Sequence, residues 1–190
     1  MGESIPILDV NIAIIQDGKV LLTKRRDFEV WCLPGGEVDA SETLAQADIR
    51  EAREEVGLTV QLERPVGIHS RPQWLSRGSH VVVFAAKIIK GVLTIQPEEV
   101  LEARFFPKEE LSEEMLLGHQ QQIQDALQGV CGAVWTHESE WGFEPGLTCE
   151  KLYHLHDQSG LSPAEFYLHR VGKVIPGGDH LEVEDKVDVY

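Results

Sequence analysis

Residues 36–58 read GEVDASETLAQADIREAREEVGL, and the spacing of their charges and glycines decides the fold. Glu51, Glu54 and Glu55 stand at i, i+3 and i+4, which puts them on one face of a helix. Like charges that close weaken an isolated helix. A divalent cation over that face resolves the repulsion, because hard cations such as Mg²⁺ take oxygen ligands. A cation bound beside phosphate is a hydrolytic site in outline. Asp39 is placed to cap the helix, and Glu42 three positions on completes a capping box. Ala45, Ile49, Ala52 and Val56 make an apolar stripe, expected roughly opposite the carboxylates. Gly57 suits the left-handed position past the helix end, and Leu58 restarts an apolar run. Immediately before lies Leu33-Pro34-Gly35-Gly36, a tight turn whose glycines let backbone approach a metal or a phosphate.

Upstream, Val10 to Ile15 and Val20 to Lys24 read as strands joined by Asp17-Gly18, a hairpin. Lys24, Arg25 and Arg26 then set three cations shortly before the glycine turn. Downstream, Leu58 to Leu62 and Val66 to His69 read as strands, Arg71 to Gly78 as a turn-rich loop, and His80 to Ile89 as a central strand. Lys90-Gly91 signals a turn before a short strand at Val92 to Ile95. Pro97 to Glu102 is an acidic loop, Ala103 to Phe106 a strand, and Glu109 to Gln128 a helix weakened at Gly118. Strands before and after a helix, closed by a second helix, predict an α+β fold with a mixed sheet.

The box resembles the signature of the Nudix hydrolases. The matching positions are Gly36, Glu42, Arg50, Glu51, Ala52, Glu54, Glu55, Gly57 and Leu58. The one departure is Ala52, where the family usually has Ile, Leu or Val. The resemblance implies an α/β/α sandwich over residues 1–129, with 130–190 as a C-terminal extension. It also implies hydrolysis of a nucleoside diphosphate linked to another moiety, with Mg²⁺ or Mn²⁺ as cofactor. Glu51, Glu54 and Glu55 are the implied metal ligands, joined by the carbonyl of Gly35 and by one glutamate of the later acidic loop, for which Glu99 is preferred over Glu98 and Glu102. Within the box Glu51 is the preferred general base. Arg50 holds the ligands by charge-assisted hydrogen bonds, and Glu42 and Gly57 shape the box. Arg25, Gly36 and Trp74 are the candidate substrate contacts. Pro72 falls about where some ADP-ribose-cleaving members carry a proline.

At 190 residues the chain suits one domain with an appendage. A formal net charge of −15 argues against coating a nucleic-acid polymer, though not against small polyanions neutralised by metal and local cations. Cys32, Cys131 and Cys149 are odd in number and lack a C-x-x-C pair, pointing to free thiols and a cytoplasmic setting. Met1 to Val10 lacks a signal-peptide design, and no apolar run nears the ~20 residues of a membrane span. Cys32 reads as a buried small side chain, Trp31 as core or as a ring to stack on a nucleobase, and His154-x-His156 as a pair on a strand without further ligands. The extension, with Trp135, Trp141, Phe143, Tyr153, Phe166 and Tyr167, is too aromatic for a disordered tail. Ser162-Pro163-Ala164-Glu165 starts a helix running to about Val171, and Pro176-Gly177-Gly178-Asp179 is a turn. The extension packs on the core domain or on a second copy in a homodimer. ADP-ribose or a nucleotide sugar is the favoured substrate. A nucleoside triphosphate, or nucleotide sensing without catalysis, stays open, and a diphosphate isomerase is disfavoured by the intact box.

Overall fold

The computed structural model describes residues 5–74, 77–140, 142–144 and 147–183; Trp141 and the side chain of Cys149 lie outside that description. β1 (Ile7–Gln16) and β2 (Lys19–Arg25) form the expected hairpin. Asp17 and Gly18 both take positive φ, 51° and 73°, as a two-residue type I′ turn requires. Only Ile15 and Gln16 pair across it, with Val20 and Lys19, before the strands separate. β2 goes on to pair with β3 (Trp31–Cys32), while β1 pairs with β4 (Gly35–Glu37).

The helix α1 spans Leu44–Val56. Its cap is Thr43, boxed with Gln46, rather than Asp39 with Glu42. Asp39 and Glu42 bond each other in a turn ahead of the helix, and the Glu42 carboxylate is committed to Arg50. Ala45 is exposed, not buried. The buried stripe is Ala47, Asp48, Glu51, Ala52, Glu55 and Val56, so two of the carboxylates lie at the edge of the buried face rather than opposite it.

β5 (Leu58–Arg71) is one strand where two were expected, and three register shifts against β6 (Ser79–Gly91) absorb Glu63 and Val66 on β5 and Ile89 on β6 without breaking it. β6 is central, parallel to β1 on one side and antiparallel to β5 on the other. Lys90 and Gly91 belong to β6 and do not turn the chain. Val92 to Ile95 is no strand: Thr94 and Gln96 donate their amides to the carbonyls of Val56 and Glu55, capping the end of α1. β7 (Val100–Phe106) pairs with β2. α2 starts only at His119 and runs to Gln128, with Gly118 as its N-terminal boundary. Before it the chain is tied to β3 by Trp31 and Glu114, so Leu111 and Met115 pack without being helical.

The last segment extends the same sheet. β8 (Ala133–Ser139) lies parallel to β5, and β9 (Val174–Val183) antiparallel to β8. Pro176 to Asp179, expected as a turn, runs inside β9, where Asp179 and His180 pair with His137 and Thr136. α3 (Cys149–Ser159) is followed by α4 (Pro163–Phe166), which begins with the anticipated Ser162–Glu165 capping box and runs into a π turn to Val171. Among the described residues the sheet path is β3-β2-β1-β6-β5-β8-β9, with β4 on β1 and β7 on β2.

Both sheet faces are covered, which makes the sandwich. Ala13, Val83 and Leu22 pack with Ile123 and Ala126 of α2. Ile12, Ile14 and Leu21 pack with Ala52 and Val56 of α1. A third cluster joins Phe28 and Val30 to Leu152, Phe166, Tyr167 and Val171, so the C-terminal segment lies on its own chain's core. The Tyr167 hydroxyl accepts from the Leu117 amide at 2.9 Å. Among the described residues no helix is long and apolar enough to cross a membrane.

Candidate active site

Arg50 organises the box. Its Nε and Nη2 grip both oxygens of Glu42 at 2.8 and 2.9 Å. Its Nη1 reaches Glu51 at 2.6 Å and Glu54 at 3.2 Å, and Nη2 also donates to the Glu37 carbonyl at 3.3 Å. One planar cation thus fixes the turn before the helix to the acidic face of the helix. The glycine turn sits against that face. A Cβ on Gly36 would come within 2.5 Å of Glu51 Oε1, and one on Gly35 within 2.1 Å of the Val10 carbonyl. The clash at Gly35 is with backbone and requires glycine, while a side chain at Gly36 would displace the Glu51 carboxylate. The Gly35 amide points to Glu55 Oε2 at 3.4 Å. Gly57 closes α1 in the left-handed conformation, its amide on the carbonyls of Ala52 and Arg53.

The carboxylates differ in environment. Glu54 is exposed, while Glu51 and Glu55 are buried. Burial, with the charges of Glu51 and Glu99 adding to it, pushes Glu55 up to about 8 against the opposing pull of Arg25 and the Gly35 amide. Burial also raises Glu51, although Arg50 opposes it. Glu99 is brought from the distant loop to within electrostatic reach of both. Glu98 lines one cavity together with Glu55 and Glu99, whereas Glu102 lies on β7 beside Arg104. As the side chains stand, no three His, Cys, Asp or Glu residues among those described are gathered closely enough to hold a metal ion. Glu54 and Glu99 are exposed and keep the rotamer freedom to close such a set around Glu51 and Glu55.

A fourth acid of α1 was not read from the sequence as part of this group. Asp48 is fully buried, neither carboxylate oxygen has a hydrogen-bond partner, and burial plus the charge of Glu51 lifts it to about 8. Its only sequence signal is a charged residue inside the helical stripe next to Ala47 and Ala52.

Two cavities flank the box. The first, about 490 Å³, is lined by Arg25, Arg26, Glu55, Glu98 and Glu99 among others. The second, about 220 Å³, runs from Gly35 and Gly36 to Arg71, Trp74 and His119. Arg25, Asp27 and Tyr153 line both. Trp74 stands under the Arg71 guanidinium, 4.8 Å from ring centre to Cζ. The sequence thus named Arg25, Gly36 and Trp74 around these cavities, but not Asp27, Arg71, His119 or Tyr153, which come from separate elements and carry no motif.

The remaining candidates are structural. Cys32 is buried against Thr23, and burial raises its thiol to about 12, so it is no nucleophile. Trp31 packs edge-on to Phe106 with centroids 4.7 Å apart. His154 and His156 lie on α3 and not on a strand, bonded to Gln158 and Asp157 respectively. Residues two apart on a helix point in different directions and do not share one ion.

The model of the NUDIX domain family matches residues 6–127. An ADP-ribose pyrophosphatase of Methanocaldococcus jannaschii is 34% identical over 127 residues, covering 64% of this chain and 73% of that protein. A MutT-like protein of Streptomyces ambofaciens is 30% identical over 142 residues, covering 73% of this chain and 90% of the relative. Among solved structures, an ADP-ribose pyrophosphatase from Streptococcus suis superposes with a TM-score of 0.57 at 28% identity, covering 65% of this chain and 91% of that one.

Proposed function

Because the chain belongs to the Nudix family and is a pyrophosphohydrolase by that membership, we propose that it cleaves a nucleoside diphosphate linked to a second moiety, of the ADP-ribose or nucleotide-sugar type. The observation that carries this is the pair of adjoining cavities at the box, one lined by Glu55 and the other by Gly35 and Gly36, with Arg25 in the wall of both. A diphosphate lying across the box then has room for a group at each end. A nucleoside triphosphate needs only one such space. The named activity of the Methanocaldococcus jannaschii and Streptococcus suis relatives agrees with this choice.

The donor set fits Mg²⁺ or Mn²⁺. Glu51, Glu54, Glu55, Glu99 and the Gly35 carbonyl are all hard oxygen donors, and the charge of the buried Glu55 is offset only by the field of Arg25 and one long amide contact. When bound, a divalent cation supplies charge neutralisation for the diphosphate and a more acidic water. The chain's own residues do the rest. Arg25 presents a permanent cation in the wall shared by both cavities. Arg50 keeps Glu51 and Glu54 aimed, and a proton taken from water passes to a carboxylate of the box.

The test is a panel of ADP-ribose, nucleoside diphosphate sugars and nucleoside triphosphates with Mg²⁺ and Mn²⁺ tried separately. Preferred turnover of the two-ended diphosphates is expected. Preference for triphosphates would replace this substrate class, and binding without turnover would favour a sensor.

A further inference from the structure

We propose that Asp27 and Tyr153 are positioning residues, through which the C-terminal segment sets the aim of Arg25 at the substrate diphosphate. The inference rests on the site being a diphosphate site. Arg25 ends β2, where the register against β7 shifts between Lys24 and Arg25. The chain then folds back at once, with the Arg25 amide on the Val30 carbonyl and the Glu29 amide on the Arg25 carbonyl. Asp27 sits at the tip of this loop and takes Arg25 in a two-pronged grip, Nε at 2.8 Å and Nη2 at 2.6 Å. That grip fixes the plane of the guanidinium and leaves its other N–H donors for a second anion.

Asp27 is itself held from two further directions. The Phe28 amide donates to Oδ1 at 2.8 Å, and the Tyr153 hydroxyl donates to Oδ2 at 3.3 Å. Tyr153 belongs to α3, outside the part of the chain that matches the family model. Its ring lies 5.8 Å from that of Phe28. Arg25, Asp27 and Tyr153 together form the wall common to both cavities. A purely structural role explains this poorly, because Leu152, Phe166, Tyr167 and Val171 already anchor the segment on Phe28 and Val30. The hydroxyl is placed instead where it locks a carboxylate that locks the cation facing the substrate. The C-terminal segment is thereby part of the substrate site.

The experiment compares the whole wild-type chain with Tyr153→Phe and Asp27→Asn. ADP is titrated calorimetrically without metal, and KM and kcat for ADP-ribose are measured with Mg²⁺. Tyr153→Phe keeps the ring and removes only the hydroxyl. Its expected effect is a weakening of ADP binding by about three- to tenfold and a matching rise in KM, with kcat within about twofold and Tm unchanged. Asp27→Asn, which loosens the guanidinium directly, should weaken ADP by about tenfold or more. Wild-type ADP affinity in Tyr153→Phe would overturn the proposal. So would tighter ADP binding in Asp27→Asn, since Asp27 would then be a competitor for Arg25, and so would a wild-type chain that binds no ADP. If the wild type hydrolyses none of the panel yet binds ADP, the functional proposal fails while ADP affinity still decides this one.

Discussion

Replacing Asp48 by alanine should stabilise the protein, and more at high pH than at low. Asp48 is fully buried on α1 with no partner for either oxygen, beside the like charge of Glu51. Burial lifts its pKa from an ordinary 3.8 to about 8. The folded chain therefore holds a proton that the unfolded chain releases. Its contribution is fully present below 3.8 and is lost as pH rises toward 8, because the unfolded state gains by ionising while the folded state does not. Each pH unit in that window costs about 1.4 kcal/mol at most. Between about pH 5 and pH 8 the limit is roughly 4 kcal/mol, and relaxation of a real interior reduces it to about 2 kcal/mol. Alanine also has the better helix propensity, by about 0.5 kcal/mol. Against this stands a small cavity where the carboxyl was. Urea unfolding of both chains at the two pH values cancels Glu55 and the other shared groups, leaving the Asp48 share together with its coupling to Glu51. A wild-type stability that falls more steeply with pH than that of Asp48→Ala by about 2 kcal/mol is expected. Equal slopes, or a variant less stable at pH 8, would refute the account of Asp48 as a buried, uncompensated acid.

Mn²⁺ binding should release close to one proton near about pH 6.5, because Glu55, pushed up to about 8, must ionise to become a ligand; calorimetry in two buffers of different protonation enthalpy reads it, and zero release would contradict the ligand assignment. Affinity for Mn²⁺ should accordingly rise with pH until Glu55 is ionised. Phe166→Ala should cost about 3 kcal/mol in urea unfolding, since Phe166 is buried between Phe143 and His156 and holds the C-terminal segment; a loss under about 1 kcal/mol would mean that segment is not docked as described.

The box was legible because each of its parts is a local spacing. Gly36, Arg50, the three glutamates and Gly57 lie within one turn-helix unit, so position in sequence is position in space. The hairpin was legible for the same reason. What failed was non-local. Val92 to Ile95 has strand composition, but the open carbonyls of α1 claim the amides of Thr94 and Gln96. Leu111 and Met115 fit a helical stripe, but β3 draws that chain into an extended pairing and the helix waits for Gly118. Pro176 to Asp179 carries turn residues, yet β8 offers a free edge and pairing wins. In the site, Arg25 and Glu99 could be guessed from charge. Asp27, Arg71, His119 and Tyr153 could not, because only the folded sheet brings β2, β5, α2 and α3 to one wall.

The most direct test of the central claim is the initial rate of ADP-ribose hydrolysis with Mg²⁺ for wild type, Glu51→Gln and Glu55→Gln, each checked for an unchanged Tm. The claim is that the buried carboxylates of α1 carry the hydrolysis. Wild-type turnover with a loss of at least about a hundredfold in each folded variant is the expected result. Undiminished rates in both variants would contradict it.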